Sequence, residues 1–135
     1  MSLTEEAKKT LIQKALQVRE NAYAPYSTYK VGAALRTKKE NVYTGANVEN
    51  AAYSVTMCAE RAAVFSAIAA GEREFDALVV ATRNGGTPCG SCRQVLSEYG
   101  LDIQVFIVDE TGDIMQETTV RDLLPSAFRS GDLED

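Results

Sequence analysis

Two short segments, Cys58-Ala59-Glu60 and Pro88-Cys89-Gly90-Ser91-Cys92, organise this chain. In each of them a cysteine follows a loop and stands where a helix-like stretch begins. A helix N-terminus carries a partial positive charge and unpaired N–H groups, and both lower the pKa of a nearby thiol. The two segments therefore predict a cluster of thiolates built on the first turns of two helices.

The three thiolates suit a zinc site with one position left open. The chain has three cysteines and no histidine, so neither a fourth thiolate nor an imidazole is available. Structural zinc sites generally use four protein ligands, whereas catalytic sites use three and a water. Zinc lowers the pKa of that water from 15.7 to about 7. We therefore expect Cys58, Cys89 and Cys92 to hold a catalytic Zn²⁺.

A carboxyl group stands beside this predicted metal. Glu60 lies two residues after Cys58, where it can reach the zinc-bound water without being a ligand. General acid–base help of this kind contributes about 10² to 10⁴-fold in rate. Three thiolates also leave a net negative charge on the site, which Arg61 is expected to offset by hydrogen bonds to the sulfurs. Arg93 is a second candidate for that role.

Each of these residues also has an ordinary structural interpretation. Cys58 alone is compatible with a buried core cysteine, and Cys89 with Cys92 alone is compatible with a redox pair. Glu60 alone suits a charge at a helix start, and Arg61 alone suits a surface residue. The zinc site is favoured because the third cysteine and the acid accompany the pair.

Composition limits the partners of the chain. Its 135 residues, 45% hydrophobic and 24% charged, are typical of one globular domain, which we expect to span residues 1–135. The net charge is −5 and the basic residues are scattered, so a nucleic-acid polymer is not expected. No apolar run is long enough for a bilayer, and the N-terminus lacks the apolar region of a signal peptide. A cytoplasmic protein without a membrane partner is expected.

The rest of the sequence predicts alternating helices and strands. Ser2 with Glu5 suggests a capping box for a first helix, whose apolar residues recur at helical spacing as far as Ala22. Further helices are predicted from about residue 58 to Gly71, at 88–99 and at 120–124. Strands are predicted at 31–37, 42–46, 77–81, 103–108 and 114–119. This order implies an α/β fold, with a mixed sheet covered by helices.

The paired segments match the three-cysteine variant of the zinc nucleobase deaminase signature. From about Ala22 to Phe128 the chain resembles the small homotetrameric cytidine deaminases. The similar segments are Ala24-Pro25-Tyr26-Ser27, Val31-Gly32-Ala33-Ala34-Leu35, Asn47-Val48-Glu49-Asn50-Ala51-Ala52-Tyr53, Cys58-Ala59-Glu60-Arg61, Pro88-Cys89-Gly90-Ser91-Cys92-Arg93-Gln94-Val95 and Leu123-Leu124-Pro125-Ser126-Ala127-Phe128. The resemblance implies a three-layer α/β/α fold with a five-stranded mixed sheet. It also implies a zinc-dependent homotetramer that hydrolyses cytidine and 2′-deoxycytidine.

The same resemblance implies a role for each residue of the site. Cys58, Cys89 and Cys92 would hold zinc, Glu60 would shuttle protons, and Arg61 would hydrogen-bond the cysteines. The remaining expected residues all touch the nucleoside. Tyr29 would stack on the base, Asn47 and Glu49 would bind the ribose 3′-hydroxyl, Tyr53 would line the sugar site, the backbone of Ala59 and Ser91 would meet the ring and the hydrated zinc, and Phe128 would cap a neighbouring subunit's pocket.

One departure from the family concerns the base site. The family has phenylalanine followed by proline or another small or neutral residue where this chain has Tyr29-Lys30. The ring can still stack, but a buried hydroxyl needs a partner. The substrate range therefore stays open, and a modified cytosine nucleoside such as blasticidin S is the alternative substrate. Asn47 and Glu49 have loop capping as their alternative.

Two other classes of function remain as alternatives. A zinc protein without catalytic activity would require a fourth protein ligand, and the sequence offers none. An editor of nucleic acids would require a basic groove, which the acidic balance of the chain disfavours.

Overall fold

The computed structural model describes residues 3–134, which form five strands and four helices. Two short 3-10 turns, Tyr53–Val55 and Ser130–Leu133, complete the described part. The elements in chain order are α1 Glu5–Arg19, β1 Gly32–Thr37, β2 Val42–Ala46, α2 Ala59–Ala69, β3 Phe75–Ala81, α3 Gly90–Tyr99, β4 Gln104–Val108, β5 Ile114–Thr119 and α4 Val120–Leu123. The order predicted from the sequence is confirmed.

The start of α1 differs from the prediction. Thr4 is the N-cap, and its Oγ1 accepts a hydrogen bond of 3.1 Å from the Ala7 backbone N–H. The predicted capping residue, Ser2, lies outside the described residues. Glu5 and Glu6 occupy the first turn, where their negative charges interact favourably with the positive end of the helix dipole.

The sheet has the strand order β2-β1-β3-β4-β5 and is mixed, as predicted. Strand β3 pairs in parallel with β4 across the α3 connection, and every other neighbouring pair is antiparallel. Strand β3 begins at Phe75, two residues earlier than expected, because Phe75 pairs with Thr37 beyond a register shift in β1. The prediction missed this because the intervening Asp76 is a poor strand former.

Helices cover both faces of the sheet, which gives the three layers that the family resemblance implied. On one face α1 packs Leu11 and Ala15 against residues of β1, β3 and β4. On the other face α2 and α3 pack their apolar residues on the same central strands, which are buried on both sides. No helix among residues 3–134 is both long and apolar enough to cross a bilayer.

A glycine in β2 sets the position of α2. A Cβ added to Gly45 would lie 2.5 Å from the Ala59 carbonyl oxygen and 2.5 Å from the Ala63 nitrogen. Only glycine therefore allows the first turns of α2 to approach the strand this closely. Since Cys58 is the N-cap of α2, this contact also positions the first cysteine.

Candidate active site

The three cysteine sulfurs converge. The Sγ atoms of Cys58 and Cys89 lie 3.8 Å apart, those of Cys89 and Cys92 lie 3.5 Å apart, and all three lie within 4.8 Å of one another. Cys58 and Cys89 are the N-cap residues of α2 and α3, and Cys92 lies in the first turn of α3. Neither N-cap sulfur accepts a capping hydrogen bond from a backbone N–H of its own helix, so both are free to face the cluster.

The geometry and chemistry of this cluster fit zinc. Sulfurs held about 2.3 Å from a tetrahedral zinc ion lie about 3.8 Å from one another, close to the two separations found here. Soft thiolates are preferred zinc ligands. No fourth cysteine or carboxylate among the described residues joins the group. One side of the cluster is therefore left for a ligand from outside the protein.

The negative charge on the sulfurs favours the binding of a cation. The pKa of Cys58 falls to about 5, chiefly through its hydrogen bond with Cys92 and also through hydrogen bonds with Arg61 and Cys89. The pKa of Cys92 rises because the same bond to Cys58 and its own burial favour the neutral thiol. One thiolate therefore forms readily and a second is resisted, until a divalent cation compensates the negative charge.

Glu60 lies in the first turn of α2 and is 5% exposed. Burial raises the pKa of its carboxyl group to about 7, and the neighbouring Cys58 thiolate acts in the same direction. Arg61 opposes this shift. A carboxyl group with a pKa near neutrality can both accept and release a proton under ordinary conditions.

The two arginine candidates have different positions. Arg61 donates from Nη2 to the Cys58 sulfur at 3.4 Å, as expected. Among the described residues Arg93 donates no hydrogen bond to a sulfur, so the expectation that it offsets the thiolate charge in this way is wrong. Its guanidinium donates instead to the carbonyl oxygens of Pro88 and Leu123, both at 2.8 Å, and to the Thr87 hydroxyl. Arg93 thereby ties the loop before Cys89 to the end of α4.

A cleft of about 320 Å³ opens beside Glu60 and the cysteines, a size within the range of small-molecule sites. Four of the predicted substrate residues line it: Tyr29, Asn47, Glu49 and Ala59. Tyr53 lines an adjoining hollow, with its ring centroid 5.9 Å from that of Tyr26. Ser91 and Phe128 are exposed and lie outside the cleft of the single chain.

Asn47 and Glu49 are engaged in loop hydrogen bonds while they line the cleft. Asn47 accepts from the Val31 N–H at 2.8 Å and donates to the Tyr29 carbonyl oxygen at 2.9 Å. Glu49 accepts from the backbone N–H groups of Tyr26 and Ser27 and from the Ser27 hydroxyl. The Ser27 hydroxyl bond lowers the pKa of Glu49. The loop-capping interpretation of both residues is thus observed, and both residues also line the cleft.

The hydroxyl of Tyr29 has a protein partner. It donates to Asn84 Oδ1 at 2.6 Å, and the Arg83 guanidinium lies 5.5 Å from the centre of the ring. Lys30 is exposed, and its carbonyl oxygen accepts from Arg19. Although Tyr29 stands where the family has phenylalanine, its additional hydroxyl group is therefore hydrogen-bonded within the protein.

Comparisons with known proteins agree with this geometry. The family model for the cytidine and deoxycytidylate deaminase zinc-binding region matches residues 5–108. The chain belongs to this family. It is 47% identical over 131 residues to a cytidine deaminase of Halalkalibacterium halodurans, with 95% of this chain and 98% of that protein covered. It is 48% identical over 126 residues to one of Sporosarcina psychrophila, with 91% and 92% covered.

Solved structures of the family share the fold. The crystal structure of a Burkholderia pseudomallei cytidine deaminase superposes with a TM-score of 0.85 at 48% identity, covering 93% of this chain and all of that one. A blasticidin-S deaminase of Bacillus cereus is a more distant relative, 32% identical over 110 residues. Because the chain belongs to this family, its cysteine cluster is identified as the zinc site of a deaminase. The predicted zinc cofactor is thereby confirmed.

Several residues that line the cleft, and Asn84 beside it, were not predicted from the sequence. Thr82 is buried at the end of β3 and accepts from the N–H groups of Gly85 and Gly86 at 2.8 and 2.7 Å. Asn84, in the loop that Thr82 holds, bonds the Tyr29 hydroxyl. The other missed lining residues are Ser27, Val31, Thr56, Met57, Val80, Gly86 and Thr87. A polar residue directly after a strand was a signal for Thr82, but only the tertiary structure brings Asn84 to Tyr29.

Proposed function

We propose that this chain hydrolyses the C4 amino group of cytidine and 2′-deoxycytidine, releasing ammonia and the corresponding uridine. The observation that carries the proposal is the trio of converging sulfurs, open on one side, beside the buried carboxyl group of Glu60. Both border a cleft of nucleoside size. Two relatives that share 47% and 48% identity with the chain over most of its length are named cytidine deaminases.

The mechanism assigns proton transfer to Glu60. When bound by Cys58, Cys89 and Cys92, zinc supplies a hydroxide nucleophile at neutral pH by lowering the pKa of water. The Glu60 carboxylate would take one proton of the attacking water and deliver it to N3 of the base. It would then take the second proton from the hydroxyl group formed at C4 and deliver it to the departing amine, so that both water protons are accounted for. A pKa of about 7 suits a group that must alternate between both forms.

Arg61 keeps the sulfur cluster in order. Its hydrogen bond to the Cys58 sulfur, at 3.4 Å, reduces the negative charge on that zinc ligand. Bound zinc would therefore remain a stronger Lewis acid. The N-termini of α2 and α3 act in the same direction, since their positive ends lie next to Cys58 and Cys89.

The cleft residues orient the nucleoside. The ring of Tyr29 forms a wall on which the base stacks, and the backbone of Ala59 faces the base. Asn47 and Glu49 each keep spare hydrogen-bonding capacity for the ribose 3′-hydroxyl, because an amide nitrogen has two hydrogens and a carboxylate has about four acceptor sites. Ser91, at the start of α3, would contact the base and the hydrated zinc through its backbone.

A homotetramer completes the site. Several large apolar side chains are exposed on the single chain, among them Tyr53 at 73%, Val55 at 61% and Phe128 at 56%. Apolar groups of this size are commonly buried in subunit contacts. Tyr53 then lines a sugar site shared between subunits, and Phe128 caps the cleft of a neighbour. The cytoplasmic location stays a prediction from the sequence.

A substrate panel tests the proposal. Cytidine, 2′-deoxycytidine and blasticidin S are each incubated with the zinc-loaded protein, and the products are separated by chromatography with ammonia measured in parallel. We expect uridine and 2′-deoxyuridine with one equivalent of ammonia, and little turnover of blasticidin S. Turnover of blasticidin S without turnover of cytidine would replace the proposed substrate and keep the chemistry.

A further inference from the structure

Tyr29 is held by its neighbours at its backbone and at its hydroxyl. Its backbone N–H donates to the Ser27 hydroxyl at 3.0 Å, and its carbonyl oxygen accepts from Asn47 Nδ2 at 2.9 Å. Its hydroxyl donates to Asn84 Oδ1 at 2.6 Å. Backbone bonds alone would leave the ring free to rotate about its side-chain torsions. The bond to Asn84 therefore fixes the orientation of the ring that forms the cleft wall.

Asn84 belongs to a rigid loop. Its backbone forms an isolated bridge with Asp109, at the end of β4, and the Thr82 hydroxyl accepts from the next two N–H groups of the loop. The loop also fits closely around the phenol. A Cβ added to Gly86 would overlap the Tyr29 hydroxyl and lie 3.3 Å from its Cζ atom. The same loop continues through Thr87 and Pro88 to Cys89.

Asn84 stands outside the cleft, as does Arg83, while Tyr29, Gly86 and Thr87 line it. The contact between the Asn84 side chain and the cleft is its hydrogen bond to the Tyr29 hydroxyl. On this basis we propose that Asn84 is a positioning residue, which locks the Tyr29 ring against the loop of Cys89 and so sets the affinity for the pyrimidine ring. This inference rests on the proposed function, because it takes the ring of Tyr29 as the surface on which the base stacks.

A stacking wall contributes equally to binding the substrate and the transition state, so loosening it raises KM and leaves kcat nearly unchanged. A neutral hydrogen bond of this kind corresponds to about a threefold to tenfold effect. Removing either partner removes the same bond, so the effects of the two changes do not add. An acceptor retained at position 84 preserves the bond.

The test is a double-mutant cycle on cytidine deamination with zinc-loaded protein. Asn84→Ala, Tyr29→Phe and the double variant are each expected to raise KM about threefold to tenfold, with kcat within about twofold of native and the melting temperature nearly unchanged. Asn84→Asp keeps an acceptor oxygen and is expected to retain the native KM. Tyr23→Phe, an exposed tyrosine outside the cleft, is the control for loss of a phenol.

The outcomes separate the two proposals. Unchanged KM in Asn84→Ala and Tyr29→Phe, additive effects in the double variant, or a loss confined to kcat would each overturn the positioning role while cytidine turnover by the native chain stands. A fall in melting temperature that accounts for the loss, without recovery in Asn84→Asp, would also overturn it. No cytidine turnover by the native chain would overturn the proposed function, and this inference with it.

Discussion

At the scale of the residue, Glu60 should be indispensable for chemistry and dispensable for folding. Glu60→Gln keeps the shape of the side chain but cannot shuttle protons, so we expect kcat to fall by about 10² to 10⁴-fold. Zinc content should stay near native, and the zinc-loaded variant should melt no lower than the native chain. Glu72→Gln is the matched control, since Glu72 is also a buried carboxyl group but lies beyond the opposite end of α2. Equal activity in both variants would remove Glu60 from the mechanism.

The buried carboxyl group also predicts a pH dependence of stability in the zinc-free chain. The pKa of Glu60 in the folded chain, about 7, is above its ordinary value of 4.5, so ionisation disfavours the folded state. As the pH rises from about 4.5 through 7, the free energy of unfolding of the native chain should fall, because Glu60 ionises. Glu60→Gln should not show this fall, because its side chain does not ionise. We expect the variant to be more stable by up to roughly 3 kcal/mol at pH 8, and about equal at pH 4.5.

Urea unfolding of the zinc-free native chain and of Glu60→Gln, each at pH 4.5 and pH 8, measures this difference. Parallel pH dependence in the two proteins would show that Glu60 is not desolvated as described.

The residues of the metal site were predictable where the signal is local. Cys58, Glu60, Arg61, Cys89 and Cys92 stand in two short segments, and helix-start chemistry explains their types and spacing. Arg93 was misassigned because adjacency to Cys92 does not fix where a long side chain points. It turns away to three acceptors in two separate parts of the chain, two at residues 87–88 and one at Leu123.

Asn84 shows the limit of reading a sequence for a site. Its partner Tyr29 lies 55 residues earlier in the chain, and only the packing of the sheet brings them together. A loop asparagine beside two glycines is ordinarily explained by turn formation, and nothing in the local sequence distinguishes it from such a residue.

At the scale of the element, the contact between β2 and α2 should control the metal site from a distance. Gly45→Ala places a methyl group against the backbone of Ala59 and Ala63, which displaces the first turns of α2 and with them Cys58. We expect a loss of about 1–3 kcal/mol in the free energy of unfolding and weaker zinc binding. Urea unfolding and competition with a zinc indicator measure the two effects.

The control for this substitution is Gly131→Ala. The nearest atom to an added Cβ there is the Glu134 carboxylate oxygen at 3.8 Å, which is ordinary contact. A zinc affinity in Gly45→Ala equal to that of the native chain would contradict this prediction, because it would show that Cys58 keeps its position.

The elements themselves were largely predictable, because each has its own periodicity and its own punctuation. Gly71 follows the end of α2 with a φ of +95°, and Gly100 is the C-cap of α3, so glycine marks both ends as expected. The errors lie at element ends. The N-cap of α1 is Thr4, and β3 gains Phe75 and Asp76 through pairing with β1, which no local pattern reveals.

At the scale of the whole molecule, the proposed tetramer should have a mass of about 59 kDa, four times the 14.7 kDa of the chain. Light scattering coupled to size-exclusion chromatography measures it. Phe128→Ala is expected to raise KM, since the ring caps a neighbour's cleft, and Leu133→Ala, which truncates another exposed apolar residue, should not. A fully active monomer would contradict the shared site.

Assembly is the level that the residues of one chain describe least. Phe128 is exposed in the single chain, and its carbonyl oxygen accepts a hydrogen bond from the Gln94 side chain at 2.8 Å. The sequence predicts its role through resemblance to the family, because the physical signal, an exposed aromatic ring, does not by itself identify what covers it.

The most direct test of the account is a zinc titration of the metal-free protein, with cytidine hydrolysis followed by ultraviolet absorbance. We expect no turnover without metal, a linear rise of activity with added zinc, and a plateau at one zinc per chain, because three sulfurs hold one ion. Full activity of the metal-free protein, or stoichiometric zinc binding without any hydrolysis of cytidine, would contradict it.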